Sequence, residues 1–316
     1  RACGAAPAPG PRGHHQSIRT EAQMTQRVFK PWAPYLFLLP ASIVLGMFFF
    51  FPLIRAFIFS LTEYSLLSDP QWLGLANYRE LFTSSSVGNA FLNSFRYFII
   101  VVPVLVFVPM LIAVLVNQPL RGVNVFRTTF YLPVVTSMVI AGIMWKWMYT
   151  ENGILNYVLT SVVPLIDEPV QWLTSPDTAL YSVMVVTIWK GLGYYMVIYL
   201  AGLQTIPGEL YEAATIDGAT STQKLFRITV PLLVPSMAVV AVLSSTAAMK
   251  VFDEVYVMTR GGPFESSRTA VYQIYDTAFD KLQFGYASAM GVLLFMILLV
   301  ISIISIRVSE SRYTRT

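Results

Sequence analysis

The chain is poor in charge, cysteine and histidine, and each shortage excludes a class of protein. Only 12% of its 316 residues are charged, while 55% are hydrophobic. An ordinary soluble domain carries about 25% charged residues, so this balance predicts an integral membrane protein. Cys3 is the only cysteine, so the chain cannot form an internal disulfide. The only histidines, His14 and His15, lie near the N-terminus, which excludes a histidine-ligated metal centre in the membrane.

Motifs of catalytic and nucleotide-binding sites are also missing. The sequence contains no Gly-x-x-x-x-Gly-Lys-Ser/Thr loop, no Gly-x-Ser-x-Gly elbow, no His-Glu-x-x-His pair and no Gly-x-Gly-x-x-Gly turn. We therefore expect no enzymatic activity, no catalytic residue, no metal and no cofactor in this chain. The net charge of +4 comes from scattered basic residues, so it does not indicate a nucleic-acid partner.

Six long apolar segments predict an all-α integral membrane protein with six transmembrane helices. Each segment supplies the roughly 20 mainly apolar residues that a bilayer-spanning helix needs. Pro103 and Pro109 are expected to kink the second helix. The six segments are Tyr35–Ser60, Phe95–Val116, Phe126–Tyr149, Ala179–Gln204, Leu232–Val257 and Ala287–Ile306.

These segments divide the chain into three parts. Residues 35–306 form the predicted six-span domain, residues 1–34 a disordered cytoplasmic segment and residues 307–316 a cytoplasmic tail. Residues 1–23 are rich in Pro, Gly and Ala, and we expect the natural start at Met24. A genuine disordered tail over residues 1–23 is the alternative.

Charge in the connecting loops predicts how the chain crosses the membrane. An even number of spans puts both termini on one side. The loop 150–178 contains Glu151, Asp167, Glu168 and Asp177 and no Lys or Arg, whereas basic residues occur at the termini and in alternate loops. Because basic residues favour the cytoplasmic side, we expect a multi-pass protein of a bacterial-type cytoplasmic membrane with both termini in the cytoplasm.

The stretch 206–231 is polar, lies between the fourth and fifth spans and faces the cytoplasm in this orientation. Pro207 suits the first position of a short helix, and Gly218 interrupts that helix. Thr220 and Gln223 have the spacing of a capping box, which predicts a second short helix. Spacing alone is typical of an ordinary loop with two surface helices.

Two motifs lie on opposite sides of the fifth predicted span. The first comprises Glu212, Ala213, Ala214, Asp217, Gly218, Ile228 and Pro231. The second is Phe252-Asp253 followed by Met258-Thr259-Arg260-Gly261-Gly262-Pro263. The first motif resembles the EAA motif of ABC importer permeases. The second is similar to an outer loop of the maltose-type, binding-protein-dependent carbohydrate uptake permeases, and the resemblance extends from about Met24 to the C-terminus.

This resemblance implies a type I ABC importer permease fold and a division of labour between subunits. The EAA element would form coupling helices that dock on a cytoplasmic ATPase, with Glu212 as the expected contact. ATP and Mg²⁺ would bind to two partner ATPase subunits. The other implied partners are a second homologous permease and an extracytoplasmic solute-binding protein. The implied function is import of a sugar or sugar-like solute across the membrane.

Ionisable residues within the predicted spans are candidates for the solute path, because charge is costly inside a bilayer. Lys190 lies near the middle of the fourth span, beside Trp189, Gly191 and Tyr194, and aromatic faces next to hydrogen-bonding groups suit a sugar. For Gly191, close helix packing is the alternative interpretation. Asp253 and Glu254 lie toward the outer end of the fifth span, and Asp253 completes the candidates for the solute path.

The resemblance also indicates sugar contacts. Positions that contact sugar in maltose-type permeases correspond to Gly191, Tyr194 and Ser244, which match. They also correspond to Ile188, Ala248 and Val251, which replace polar residues. Maltose itself is therefore doubtful as the solute, and a partner permease could supply most contacts.

An ion-coupled secondary transporter that acts alone is the alternative function. Such a transporter would carry inverted repeats and broken helices with buried acidic residues. The sequence shows no internal repeat, and its acidic residues cluster in loops. A purely structural membrane scaffold is the third possibility.

Overall fold

The computed structural model describes Gly4 and residues 32–65, 68–118, 121–163 and 165–313. The expectations for the start at Met24 and for most of the segment 1–34 lie outside these residues, as does the end of the tail, 314–316.

The chain divides into two compact units, Arg1–Arg55 and Ala56–Thr316. A long apolar helical segment, Tyr35–Phe59, begins in the first unit and ends in the second, and it is long enough to cross a membrane. Three consecutive helical pieces build it: α1 (Ala33–Leu45), a π-helical turn (Gly46–Phe50) and α2 (Phe51–Phe59).

The described part of the second unit is mainly helical. Its helices are α3 (Ala76–Thr83), α4 (Ser85–Val116), α5 (Val123–Val135), α6 (Met138–Met148), α7 (Ile154–Tyr157), α8 (Ala179–Leu203), α9 (Gly208–Ile216), α10 (Ser221–Lys224), α11 (Val230–Leu232), α12 (Val234–Met249), α13 (Asp253–Met258), α14 (Ala270–Tyr275) and α15 (Phe284–Tyr313). The π-helical turns Val158–Val162, Leu225–Thr229 and Asp276–Asp280 follow α7, α10 and α14.

A small β-hairpin, which the sequence did not predict, precedes α3. Strand β1 (Thr62–Ser65) pairs antiparallel with β2 (Ser68–Trp72), and Thr62 lies opposite Trp72. Asn77 on α3 donates hydrogen bonds from its amide to the carbonyls of Ser60 and Thr62, both at 2.9 Å. These bonds fasten the hairpin to the helical body.

The predicted helical membrane class is confirmed. Among the described residues, five helical segments are long and apolar enough to cross a membrane, and a bent helix pair brings the number to six if it counts as one span. Helix α4 continues through Pro103 and Pro109 as one helix of 32 residues. The remaining spans are Ala179–Leu203, Val234–Met258 and Phe284–Ser305.

The bent pair, α5 and α6, replaces the third predicted span. The two helices meet at an angle of 101°. Pro133 lies in the last turn of α5, and Thr136 and Ser137 adopt extended backbone conformations with ψ values of 144° and 141°. Such a break frees backbone carbonyls, which need new donors inside a membrane.

Lys190 supplies that donor from the neighbouring helix α8. Its ammonium donates to the carbonyl of Thr136 and, at 3.4 Å, to the carbonyl of Pro133. A charged donor compensates carbonyls more strongly than a neutral one does. Lys190 therefore donates hydrogen bonds to backbone carbonyls at the break between α5 and α6.

The core lies where α4 packs against α8 and α12, and α8 packs in turn against α5. Tyr97, Val101 and Val183 are fully buried there. The hydroxyl of Tyr199, also fully buried, donates to the carbonyl of Val106 on α4 at 2.8 Å. A Cβ atom at Gly193 would overlap the carbonyl oxygen of Phe130, so glycine allows α8 to approach the backbone of α5.

The loop between α6 and α8 is organised by one buried amide, that of Asn156. Its nitrogen donates to the carbonyls of Thr150, Glu151 and Val170 at 3.0 to 3.3 Å. Its oxygen accepts from the backbone N–H of Val170 and from the indole N–H of Trp172, both at 3.0 Å. One side chain thus satisfies several groups of a loop that has little regular structure.

Replacing Asn156 by leucine should lower the free energy of unfolding by about 3 kcal/mol, because several buried polar groups lose their partner. The thermal unfolding midpoint of the detergent-solubilised chain, followed by circular dichroism, measures this loss. Asn152→Leu in the same loop is the matched control, since Asn152 is exposed. Equal midpoints for the two variants would contradict the role of Asn156.

Replacing Lys190 by methionine should lower the free energy of unfolding by about 1.5–3 kcal/mol, the usual contribution of a hydrogen bond to a charged group. Lys146→Met is the control, because Lys146 is an exposed cation on α6 and its change should fall within about 0.5 kcal/mol. The same thermal measurement compares the variants. If Lys190→Met unfolds at the temperature of the parent, the carbonyls at the break do not depend on it.

Candidate substrate cavity and docking element

A cavity of about 340 Å³ opens beside the break between α5 and α6. Val134 and Met138 border it on either side of the break, and α4, α8, α12 and α13 complete its wall. Its volume falls within the range of small-molecule sites. The predicted path residues that line it are Lys190, Gly191, Tyr194, Ser244 and Asp253.

Trp189, the other predicted path residue, is not among the described residues that line this cavity. Its ring packs edge-to-face against Trp145 on α6, with the ring centroids 5.5 Å apart. Trp189 therefore helps to hold α6 against α8. Tyr194, in contrast, lines the cavity and leaves 46% of its surface exposed, which presents a polar aromatic group to a solute.

The small residues of the cavity wall are there partly for packing. A Cβ atom at Gly191 would lie 2.8 Å from Leu105 Cδ2, which is too close without movement of that side chain. The hydroxyl of Ser244 donates to the carbonyl of Val240, one turn earlier on α12, at 2.7 Å. Gly191 and Ser244 line the cavity, as the sequence predicts, but each residue also has a structural role.

Glu254, which the sequence places beside Asp253 toward the outer end of the fifth span, also lines the cavity. It follows Asp253 on α13 and is less exposed than that neighbour. The hydroxyl of Thr187 donates to Glu254 Oε1 at 2.9 Å, and the hydroxyl of Tyr97 is hydrogen-bonded to Thr187. The adjacent acidic residues were a signal in the sequence, but only the packing of α13 shows which of them is enclosed.

A second candidate site is the polar two-helix element between α8 and α12, residues 204–233. Pro207 occupies the N-cap of α9, one residue before the position that the sequence predicts. Gly218, just after the end of α9, has a φ of 75°, a conformation that favours glycine. The predicted capping box is confirmed, because Thr220 and Gln223 each accept a hydrogen bond from the other's backbone N–H.

Two side-chain hydrogen bonds join the halves of this element. The hydroxyls of Tyr211 and Thr229 lie 2.9 Å apart. The ammonium of Lys224 donates to Thr215 Oγ1 at 2.7 Å. The element is therefore a connected unit rather than two independent turns.

The residues of the EAA-like motif are spread over the surface of this element. Glu212, Ala213, Asp217, Gly218 and Pro231 are exposed. Ala214 and Ile228 are half-buried.

Large apolar side chains are also exposed on the element. Ile216 leaves 87% of its surface exposed and Phe226 leaves 64%. Apolar groups on a polar surface element often mark a site of protein association. The combination of a carboxylate, small alanines and exposed apolar groups is suited to docking.

Comparisons with known proteins place the chain among transport proteins. Residues 74–315 match the family described as "Binding-protein-dependent transport system inner membrane component". The chain is 36% identical over 279 residues to the "Probable ABC transporter permease protein YurN" of Bacillus subtilis, with 87% of this chain and 94% of the relative covered. It is 32% identical over 286 residues to the "Arabinooligosaccharides transport system permease protein AraP" of the same organism, with 89% and 90% covered.

Further relatives and solved structures agree. The "Lactose transport system permease protein LacF" of Rhizobium radiobacter is 31% identical over 283 residues, with 88% of this chain and 94% of the relative covered. A solved bacterial ABC transporter involved in the import of the acidic polysaccharide alginate is similar with a TM-score of 0.76 and 25% identity, covering 93% of this chain and 99% of that chain.

These matches support the importer and not the ion-coupled alternative, although the structure contains a broken span and an enclosed Glu254, which we expected of that alternative. The chain has the type I ABC importer permease fold. The family is one of transport components and not of enzymes. The chain belongs to the inner membrane components of binding-protein-dependent transport systems, as a multi-pass permease protein.

Proposed function

We propose that this chain imports a sugar or sugar-like solute as one permease subunit of an ABC importer. It would pair with a second, homologous permease and with two cytoplasmic ATPases that bind ATP and Mg²⁺. An extracytoplasmic solute-binding protein would deliver the solute. The names of relatives that transport arabinooligosaccharides and lactose support the solute class.

The exposed two-helix element is the observation that carries this proposal. A surface with Ile216 and Phe226 exposed is unfavourable in water and is stabilised when a partner covers it. Glu212 on the same element supplies a carboxylate that an ATPase can bind through a donor. Ala213 and Ala214 beside it allow close approach. We infer that this surface receives the ATPase.

The orientation of the chain follows from connectivity and charge. Helix α8 begins after the loop 150–178 and ends before the two-helix element, so these two regions lie at opposite ends of the helix. The loop is acidic and the element contains Lys224 and Arg227. From the positive-inside rule we infer that the element and both termini face the cytoplasm.

Coupling between the ATPase and the solute would pass through the helices on either side of the element. Helix α8 ends at Leu203 and α12 begins at Val234. Both helices also line the cavity, through Lys190 and Ser244 respectively. A movement of the docked element would therefore shift two walls of the cavity together and change which side of the membrane it opens to.

Replacing Glu212 by alanine should weaken ATPase binding about tenfold, because an interface carboxylate would leave its partner unsatisfied. Co-purification of the ATPase from cells that express all subunits, titrated against salt, measures the change. Glu209→Ala is the matched control, since Glu209 is exposed in the first turn of the same helix. Equal retention of ATPase by both variants would contradict the proposed contact.

Replacing Gly218 by alanine should strain the element by about 1–2 kcal/mol, because L-residues with a side chain disfavour a φ of 75°. We expect reduced ATPase co-purification in consequence. Gly218→Asn is the control, since asparagine tolerates this conformation better than alanine does. A Cβ atom at this position meets no neighbour within 4 Å, so steric overlap does not complicate the comparison. Equal co-purification of the ATPase with the alanine and asparagine variants would contradict this role of Gly218.

A further inference from the structure

We propose that the cavity favours neutral or amine-bearing saccharides over acidic ones and that Glu254 is the residue that sets this preference. The inference rests on the proposed import function and adds a charge class to its solute. It follows from three observations: the hydrogen-bond chain that ends on Glu254, the engagement of Lys190 elsewhere, and the charge that remains on the cavity wall.

The hydrogen-bond chain begins at Tyr97, which is fully buried on α4. Thr187 donates its hydroxyl hydrogen to Glu254, so the Tyr97 hydroxyl is left to donate to Thr187. The carboxylate therefore accepts directly from Thr187, and Tyr97 is linked to it only through Thr187. A hydrogen bond donated to a carboxylate favours its ionised form, so the bond from Thr187 offsets part of the cost of burying negative charge at the cavity wall.

Lys190, the cation on this wall, already donates hydrogen bonds to backbone carbonyls. Lys190 lines the cavity, but its ammonium donates to the carbonyls of Pro133 and Thr136 at the break between α5 and α6. These carbonyl oxygens carry partial negative charge and absorb much of the ammonium's hydrogen-bonding capacity. Lys190 is therefore poorly placed to bind an anionic solute.

The remaining charge on the wall is acidic. The ionisable side chains among the described lining residues, apart from the tyrosines, are Lys190, Asp253 and Glu254. One ammonium cannot balance two carboxylates, and a cavity with walls of low dielectric constant strengthens the resulting field. An acidic saccharide would bring its own carboxylate into this field and be repelled. A hydroxyl or ammonium group would instead donate to the carboxylates.

Thiol labelling in the full-length chain tests the preference without knowledge of the natural solute. Cys3, the only native cysteine, is replaced by serine, and Ala247→Cys introduces a thiol at an exposed position of the cavity wall. The membrane-embedded chain is then treated with a cationic or an anionic methanethiosulfonate of similar size. Each labelling rate is divided by the rate of the same reagent with a free thiol. The corrected rate of the cationic reagent should exceed that of the anionic reagent at least about tenfold, because charge-lined clefts concentrate counter-ions.

Matched variants assign the effect to a residue. Glu254→Gln should bring the rate ratio close to that of a free thiol, whereas Glu151→Gln, a change in the exposed loop after α6, should leave the ratio unchanged. Asp253→Asn should lower the ratio less than Glu254→Gln does. A larger effect of Asp253→Asn, or no effect of Glu254→Gln, would overturn the assignment to Glu254.

The parent chain alone also decides the question if a variant fails to fold. Equal or faster labelling by the anionic reagent overturns the charge preference. Failure of both reagents to react overturns it as well, because the cavity would then be closed to small solutes.

Uptake by the complete transporter is the second readout, with cellobiose, its 2-amino derivative and cellobiouronic acid as probes of equal size. Because the solute-binding protein is the same for the parent and for Glu254→Gln, a higher ratio of acid to cellobiose uptake in the variant supports the inference, and an unchanged ratio would overturn it. If none is taken up while labelling keeps its cationic preference, the result counts against the proposed sugar import and not against the role of Glu254. The two proposals can therefore fail separately.

Discussion

The structure depends on one constraint, that backbone polar groups inside a bilayer find their partners within the protein. Long helices such as α4 and α8 meet this requirement along their own length. The break between α5 and α6 does not, and Lys190 meets it from the neighbouring helix. The break also creates the cavity, because its wall includes Val134 and Met138 on the two sides of the turn. Lys190, together with the Thr136 hydroxyl that donates to the carbonyl of Pro133, thus supports the irregular backbone beside the cavity.

The same constraint explains how the cavity and the two-helix element can act together. Helix α8 is held along its length, by Gly193 against α5 and by Tyr199 against α4. These two contacts favour movement of α8 as one piece over local bending. The element at its end is tied internally through Tyr211 and Thr229, as the proposed coupling to α8 and α12 requires.

Composition and short-range spacing predicted most of the architecture. Apolar length is a property of each segment, so most of the spans were found, and the capping box of Thr220 depends on a local pattern. The bend of the third span was not predicted, because proline has two outcomes here. Helix α4 continues through Pro103 and Pro109, whereas Pro133 lies just before a 101° turn. The donor at this break, Lys190, is 54 residues away in sequence from Thr136, so no local pattern reveals it.

The residues of the cavity show the same limit to what the sequence can predict. Lys190 was identified because charge is rare within spans, but its partners are backbone carbonyls, which no side-chain pattern reveals. Successive residues of a helix point about 100° apart, so Asp253 and Glu254 differ in exposure although both border the cavity, and only the packing of α13 decides which carboxylate is less exposed. Thr187 and Tyr97 lie on two other helices, and only the packing of these helices with α13 brings Thr187 within hydrogen-bond distance of Glu254 and Tyr97 within that distance of Thr187. Sequence can therefore nominate charged residues for a solute path, while three-dimensional packing determines which of them offer their charge to the solute.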